Sequence, residues 1–352
     1  MNILEINTEK TWRGGERQTL YTVEGLSEVG NSVSLLCMQK SPLAIRAKKL
    51  IRSKLIEVNA QPSAFFHLLF NAEKYDVIHV QNSKAVLWVL FSKLFHKTPV
   101  VYTRRVDFVP NGFFTLWKYK QIDKVVAISE AIRKILENQG IQKIEVIPSM
   151  IKEKKTDREN AEKTIQQMGL KGKKIIATTA AFVAHKDPDT MVSTIAELKK
   201  MRNDFVFLHF GEGILLKEIK EKVEQLNLQQ QYIFMGFRPD AEDFFSVFDV
   251  FVMSSQEEGL GSSVLDAFLY GVPVASTDAG GLKETVEGCG LISSVKDYKS
   301  LAANINRLLN EGDLRKSSVE RAKQRVAEKY SIQKNREKYL KLFQEIASLR
   351  SQ

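Results

Sequence analysis

The chain has 352 residues, enough for two domains of ordinary size, and its 43% hydrophobic and 27% charged content is globular. No run of about 18 apolar residues occurs, which argues against a spanning helix, and the opening MNILEIN reads as a strand and not as a signal peptide. A net charge of +10 with a pI near 9.3 points to polyanionic partners, and two cysteines without metal-ligand spacing suit a reducing, cytoplasmic setting.

Residues 1–147 alternate strand and helix, with predicted strands at 2–7, 32–38, 55–58, 76–80, 99–102, 124–128 and 143–147. This is the pattern of a parallel sheet wrapped by helices. The turn after the first strand, Trp12–Arg17, carries Gly14 and Gly15 at a helix start, so the backbone can approach a ligand closely, with Arg17 beside it. It lacks the G-x-G-x-x-G fingerprint of a dinucleotide site. Next, Arg46, Lys48, Lys49, Arg52 and Lys54 interleave with Leu43, Ile45, Leu50, Ile51 and Leu55 as a basic amphipathic helix. Such a helix lies on anionic lipid or turns its apolar side into the core, and the sequence leaves both open.

The segment Asp76–Ala85 holds His79, read as a strand-interior histidine, and Gln81, whose amide can bond a sugar hydroxyl but cannot titrate. Arg104, Arg105 and Asp107 close the next strand, either as a surface ion pair or as a wall binding phosphate or an acidic acceptor. Phe108, Phe113, Phe114, Trp117 and Tyr119, with Lys118 and Lys120, fit a sugar platform, a lipid interface or simple core packing.

Residues 148–172 are polar and read as a linker followed by one helix. A second alternating series has predicted strands at 174–180, 205–210, 232–235, 249–253, 273–276 and 290–293. In its first turn Asp187 is an N-cap and Pro188 the first helical residue, which puts Lys186 where it can neutralise a diphosphate. Capping accounts for Asp187, so the Asp187-x-Asp189 spacing is not taken as a metal site. The stretch from Ser254 to Gly281 reads as loop, helix, strand and turn after an apolar strand, with polar groups gathered at that strand's exit. Gly259 and Gly261 permit strained backbone, and Ser262 and Ser263 open a helix whose N–H groups favour phosphate. Glu258 can fork two hydroxyl hydrogen bonds. Asp266 either does the same or completes a capping box with Ser263. Residues 296–350 read as helical and charge-rich.

The run EGLGSSVLDAFLYGVPVASTDAGGLKETV, residues 258–286, resembles the donor-site signature of retaining glycosyltransferases of the GT-B fold, the group 1, family 4-like enzymes. The resemblance implies two Rossmann-like, doubly wound parallel-sheet domains facing across a cleft. It divides the chain into an acceptor-binding domain (1–150), a nucleotide-sugar-binding domain (151–330) and a final helix (331–352) crossing back to the first. Lys186 matches the lysine that clamps the donor diphosphate, and Ala181 stands where the family has an arginine. Gln81 stands where relatives often have a histidine, and Asp266 replaces a glutamate. The resemblance assigns Lys186 and the amides of Gly261, Ser262 and Ser263 to the diphosphate, Glu258 to sugar hydroxyls and Asp266 to the ribose. Leu260 belongs to the same loop, and Phe234–Arg238 lies along the nucleobase. Gly14 and Gly15 lie beside the transferred sugar and acceptor, and Arg17, Arg104 or Arg105 can replace the missing arginine.

The expected function is transfer of a sugar from a nucleotide-diphosphate donor to a hydroxyl acceptor, in lipopolysaccharide or other cell-envelope glycan synthesis. The expectation includes no metal, no cofactor and no nucleic-acid partner, with a glycolipid or glycan acceptor and an anionic membrane surface at the inner face of the membrane. A non-catalytic glycan- or nucleotide-binding protein of the same fold is the alternative that Ala181, Gln81 and Asp266 keep open. An NAD-dependent enzyme would need a full glycine fingerprint and an acid about 20 residues on, and neither is present.

Overall fold

The computed structural model describes residues 1–50 and 54–348. The chain falls into two compact units. The first holds Met1–Lys152 together with the chain from Lys329 onward, and the second holds Glu153–Glu328.

Unit 1 runs β1 (Asn2–Asn7), α1 (Gly14–Glu28), β2 (Ser32–Met38), α2 (Pro42–Leu50), β3 (Lys54–Val58), α3 (Ser63–Asn71), β4 (Val77–Val80), α4 (Ser83–Ser92), β5 (Val100–Arg104), α5 (Phe113–Gln121), β6 (Lys124–Ala127), α6 (Glu130–Asn138) and β7 (Ile144–Val146). The strands form one parallel sheet in the order β3-β2-β1-β4-β5-β6-β7. They are near-continuous apolar runs because parallel strands are covered on both faces. Ile3, Leu35, Val77, Val101 and Val126 pack against Leu20, Val23 and Leu26 of α1 and Leu43, Ala44 and Ala47 of α2.

Unit 2 runs α7 (Arg158–Gln167), β8 (Lys174–Thr179), α8 (Pro188–Met201), β9 (Phe205–Phe210), α9 (Leu216–Gln225), β10 (Tyr232–Gly236), β11 (Val250–Met253), α10 (Ser262–Leu269), β12 (Val274–Thr277), α11 (Gly281–Val286), β13 (Leu291–Ser293), α12 (Tyr298–Asn310) and α13 (Gly312–Arg325). Its sheet is also parallel, in the order β10-β9-β8-β11-β12-β13. Ile176, Phe207, Val250 and Val252 meet Val192, Ile195 and Leu198 of α8 and Leu301, Ile305 and Leu308 of α12.

The last helix, α14 (Ile332–Ser348), belongs to unit 1. Tyr339, Leu342, Phe343 and Ile346 complete the core under α1, and Gly25 of α1 lets Ile332 pack closely.

Two expectations change. The basic run is not one helix over 43–55, because α2 ends at Leu50 while Lys54 and Leu55 lie in β3, paired with Ser34 and Leu35. Ile51, Arg52 and Leu349, which the sequence reading placed in helices, lie outside the described residues. The Ser263–Asp266 capping box does not form. Gly261 is the N-cap of α10, at φ 84°, with no side-chain cap bond, so Asp266 lies inside the helix and is buried.

Candidate active site

In an open parallel sheet, ligands bind beyond the carboxyl ends of the strands, where the strand order reverses. In unit 2 that point lies between β8 and β11, since β8 leads to β9 on one side and β11 leads to β12 on the other. The loop after β8 and the loop after β11 meet there. Ser254 Oγ donates to the carbonyls of Lys186 (3.1 Å) and Asp187 (2.9 Å), and the Gln256 N–H donates to the His185 carbonyl at 2.9 Å. Asp187 holds a left-handed backbone, φ 47°, and caps α8 by accepting from the Thr190 N–H (3.1 Å) and Thr190 Oγ1 (2.7 Å). Lys186 thereby stands at the end of a short 3-10 turn, and its Nζ forms an ion pair with Glu258. Both side chains keep some solvent access, 20% and 15%.

The Glu258–Ser263 loop is held from below. The Gly281 N–H donates to the Glu258 carbonyl at 2.7 Å, and Thr285 Oγ1 donates to the Leu260 carbonyl at 2.8 Å. A Cβ on Gly281 would collide with the Gly259 carbonyl, which is why glycine is needed at the turn after β12. A Cβ on Gly261 would lie 2.5 Å from Leu282 Cδ2. Leu260 is buried, so its side chain anchors the loop and only its backbone faces outward chemistry. Ser262 and Ser263 are half-buried at the first turn of α10, where N–H groups lack intrahelical partners.

The other edge of this region is built on glycine as well. Cβ atoms on Gly211 and Gly213 would strike the carbonyls of Ala180 and Phe182. That close approach seats the Ala180–Phe182 loop, with Ala181 exposed, against the exit of β9. His209 supports it from inside. Its ring stacks on Phe182 at 3.9 Å, Nε2 lies 3.0 Å from the Ala180 carbonyl, and Nδ1 lies 2.6 Å from the Tyr232 hydroxyl. Burial pushes this imidazole down to about 3, so it is neutral at physiological pH. Arg238 makes a two-pronged pair with Asp240 (2.9 and 2.6 Å) over the Phe244 ring, and a nucleobase contact would share it with that carboxylate.

Unit 1 reverses its strand order between β1 and β4. Gly14 opens α1, and Glu16 caps it by accepting from the Arg13 N–H, 2.7 Å from Oε2. Gly15 has open space around its Cα, and Arg17 is half-buried one turn on. Beneath this edge lies a buried polar network. His79 bridges Glu5 Oε1 (2.9 Å) and Thr103 Oγ1 (2.7 Å), and Thr103 reaches the Tyr339 hydroxyl of α14 at 3.2 Å. Gln81 Nε2 donates to Glu5 Oε2 at 2.7 Å, and Arg105 donates to Gln81 Oε1 at 2.5 Å. Burial lowers the Arg105 guanidinium below the usual arginine range. Both ends of the Gln81 amide are thus committed to protein partners. Arg104 is buried too, bonded to the Tyr119 hydroxyl and the Phe108 carbonyl. A ligand reaching either side chain must first break these bonds, which ties Gln81 and Arg104 to the architecture of the edge.

Sequence reading passed over Glu5, His209 and Tyr339. The first two carry a signal, as an acid inside ILEIN and a histidine inside FVFLH, each polar in an apolar strand. Tyr339 carries none, because its role comes from α14 packing on a sheet far away in sequence.

Among the described residues, no group of three or more His, Cys, Asp or Glu is placed to hold a metal ion. A cavity of 520 Å³ lies at the amino-terminal edge of the unit 2 sheet, lined by Lys173, Ile175, Val247 and Asp249, and holds none of the motif residues.

Residues 160–325 match the family described as Glycosyl transferases group 1, and residues 12–155 match Glycosyltransferase Family 4. The chain belongs to the group 1, family 4-like glycosyltransferases. It is similar to a poly(ribitol-phosphate) alpha-N-acetylglucosaminyltransferase of Staphylococcus aureus, 26% identical over 278 residues (78% of this chain and 51% of the relative). It is also similar to the lipopolysaccharide core biosynthesis glycosyltransferase LpsE of Rhizobium meliloti, 26% identical over 170 residues (48% of this chain and 49% of the relative). The chain spans about half the length of these curated relatives. Among solved structures, Anabaena HepE in complex with UDP and glucose superposes with a TM-score of 0.85 at 17% identity, covering 98% of this chain and 100% of that one. The two parallel-sheet units are those of the GT-B fold, and the chain has its signature residues at the β8–β11 reversal.

Proposed function

We propose that this protein transfers a sugar from a nucleoside-diphosphate donor to a hydroxyl of a cell-envelope glycan or glycolipid, with retention and without a metal ion. The observation that carries this reading is the meeting of Lys186 and Glu258 at the strand-order reversal of unit 2, beside the N-terminus of α10. A cation and the first N–H groups of a helix stabilise a departing diphosphate, the largest electrostatic need of the step. On donor entry Lys186 exchanges its carboxylate partner for the diphosphate. Glu258 then becomes available to accept hydrogen bonds from sugar hydroxyls, so its orientation is coupled to donor binding. Asp266, buried inside α10, is assigned to the ribose side of the donor, and Arg238 to the base side. Gly14, Gly15 and Arg17 are assigned to the acceptor side in unit 1. Support for the substrate classes comes from the named activities of the relatives and from the UDP in the HepE complex. The envelope acceptor and a membrane-associated location at the cytoplasmic face belong to the same proposal.

Calorimetric titration with UDP, GDP and ADP tests it. One nucleotide should bind, and Lys186→Ala should weaken it. If none binds, the non-catalytic reading, which Ala181 favours by removing one phosphate contact, takes its place.

A further inference from the structure

Among the described residues no helix is long and apolar enough to cross a membrane. The basic helix α2 turns Leu43, Ala44 and Ala47 into the core, Arg46 stacks on Trp12 and Lys48 pairs with Glu57, which leaves Ile45 as a single exposed apolar side chain among its described ones. The exposed apolar surface of unit 1 lies on α3, α4 and α5. These helices connect strands that step along the sheet in one direction from β3 through β4 to β6, and right-handed crossovers put them on the same face. Phe66 and Phe70 on α3, Leu94 and Phe95 just past α4, and Phe113 and Phe114 on α5 are between 59% and 81% exposed. Scattered exposed apolar residues are ordinary, but six large ones on or just beyond three neighbouring helices form an extended apolar surface.

The charge around them has one sign. Residues 61–122 hold eight Lys and Arg against three Asp and Glu. α5 carries Lys118 and Lys120 and no acid, and Lys74 and Lys97 are exposed just beyond α3 and α4. Aromatic side chains that enter the acyl boundary while lysines reach headgroup phosphates make an interfacial surface. A second copy of the same basic face would repel the first, and a sugar platform would need polar groups set between the rings.

We propose that the α3–α4–α5 face of unit 1 docks on an anionic lipid bilayer, and that it does so to reach an acceptor carried in that bilayer. The proposal rests on the membrane-borne acceptor suggested above and not on the donor site. Phe113 and Phe114 open α5 beyond the carboxyl end of β5, so docking brings the headgroup layer to the edge of the sheet at which Arg105 and Gln81 lie.

The test is sedimentation of the whole protein with vesicles of phosphatidylcholine alone and of phosphatidylcholine with phosphatidylglycerol. Binding should require the anionic lipid and fall as salt rises. Phe70→Ser/Leu94→Ser and Phe113→Ser/Phe114→Ser should each lower partitioning at least about tenfold, from the lost apolar burial. Melting and nucleotide titration of the same variants should match the parent. Absence of vesicle binding by the parent, or unchanged partitioning of both variants, overturns the proposal. So does a dimer in solution that the same substitutions dissociate, because the face would then be an interface between copies. Vesicle binding without nucleotide binding would sink only the donor reading, and nucleotide binding without vesicle binding only this one.

Discussion

The Lys186–Glu258 pair predicts a specific pattern of affinities. A charge-assisted hydrogen bond contributes about 1.5–3 kcal/mol. A diphosphate does not gain the whole of that from Lys186, because it must first displace Glu258, which the ammonium already holds. Taking UDP as the example of the nucleoside diphosphate that binds, the expected loss on Lys186→Ala is therefore about 1–2 kcal/mol, or roughly 5–30-fold in Kd. Glu258→Gln acts in the opposite direction on bare UDP. It releases Lys186 and removes a negative charge near the incoming phosphates, so UDP should bind equally well or more tightly. The same substitution should weaken the sugar nucleotide relative to UDP, because a forked acceptor for hydroxyls is lost. In the double variant only the removal of the carboxylate's charge remains, so the effect of Glu258→Gln on UDP should differ from its effect in the parent. Calorimetry on the four proteins, with UDP and the sugar nucleotide, measures every leg. The reasoning fails if Lys186→Ala leaves the UDP affinity unchanged while unit 2 still melts as in the parent. It fails equally if the two substitutions add without coupling.

Other expectations follow from single contacts. His209 has its imidazole held far below 6.5 by burial, so the unfolded chain binds more protons between about 6.5 and 3, and stability falls as pH drops through that window. At pH near 4.5 the loss is about 2–3 kcal/mol, and the acid limb of a Tm–pH curve should flatten in His209→Gln. Gly281→Ala drives a Cβ into the Gly259 carbonyl and should cost at least about 2 kcal/mol, roughly 4–8 °C for a unit of this size, together with nucleotide affinity. Phe343→Ala opens a cavity where α14 meets unit 1 and should cost about 3–5 kcal/mol, with scanning calorimetry showing only the unit 1 transition shifted. Cys37, whose thiol is pushed up to about 12 by burial, should resist alkylation at neutral pH until the chain is unfolded.

The strands were legible because parallel sheets write themselves as short, unbroken apolar runs. Ile3, Leu35, Val126, Phe207 and Val250 all sit in such runs. The glycine and capping signals were equally local. Asp187 before Pro188 and Gly261 before Ser262 each act within one turn of backbone, so sequence alone located Lys186 and the Glu258 loop. What sequence could not supply was partnership across long separations. Lys186 and Glu258 lie on different loops, and only the order β8-β11 makes them neighbours. The commitment of Gln81 to Glu5 and Arg105, and the turn of Arg104 toward Tyr119, depend on adjacent strands and on α5. The sheet also decided which apolar residues are covered. The runs that became α2 and α5 read as an amphipathic and an aromatic stretch, yet α2 turns Leu43, Ala44 and Ala47 into the core while Phe113 and Phe114 remain exposed. Periodicity states that a helix has an apolar side, and packing alone states whether anything in the same chain buries it.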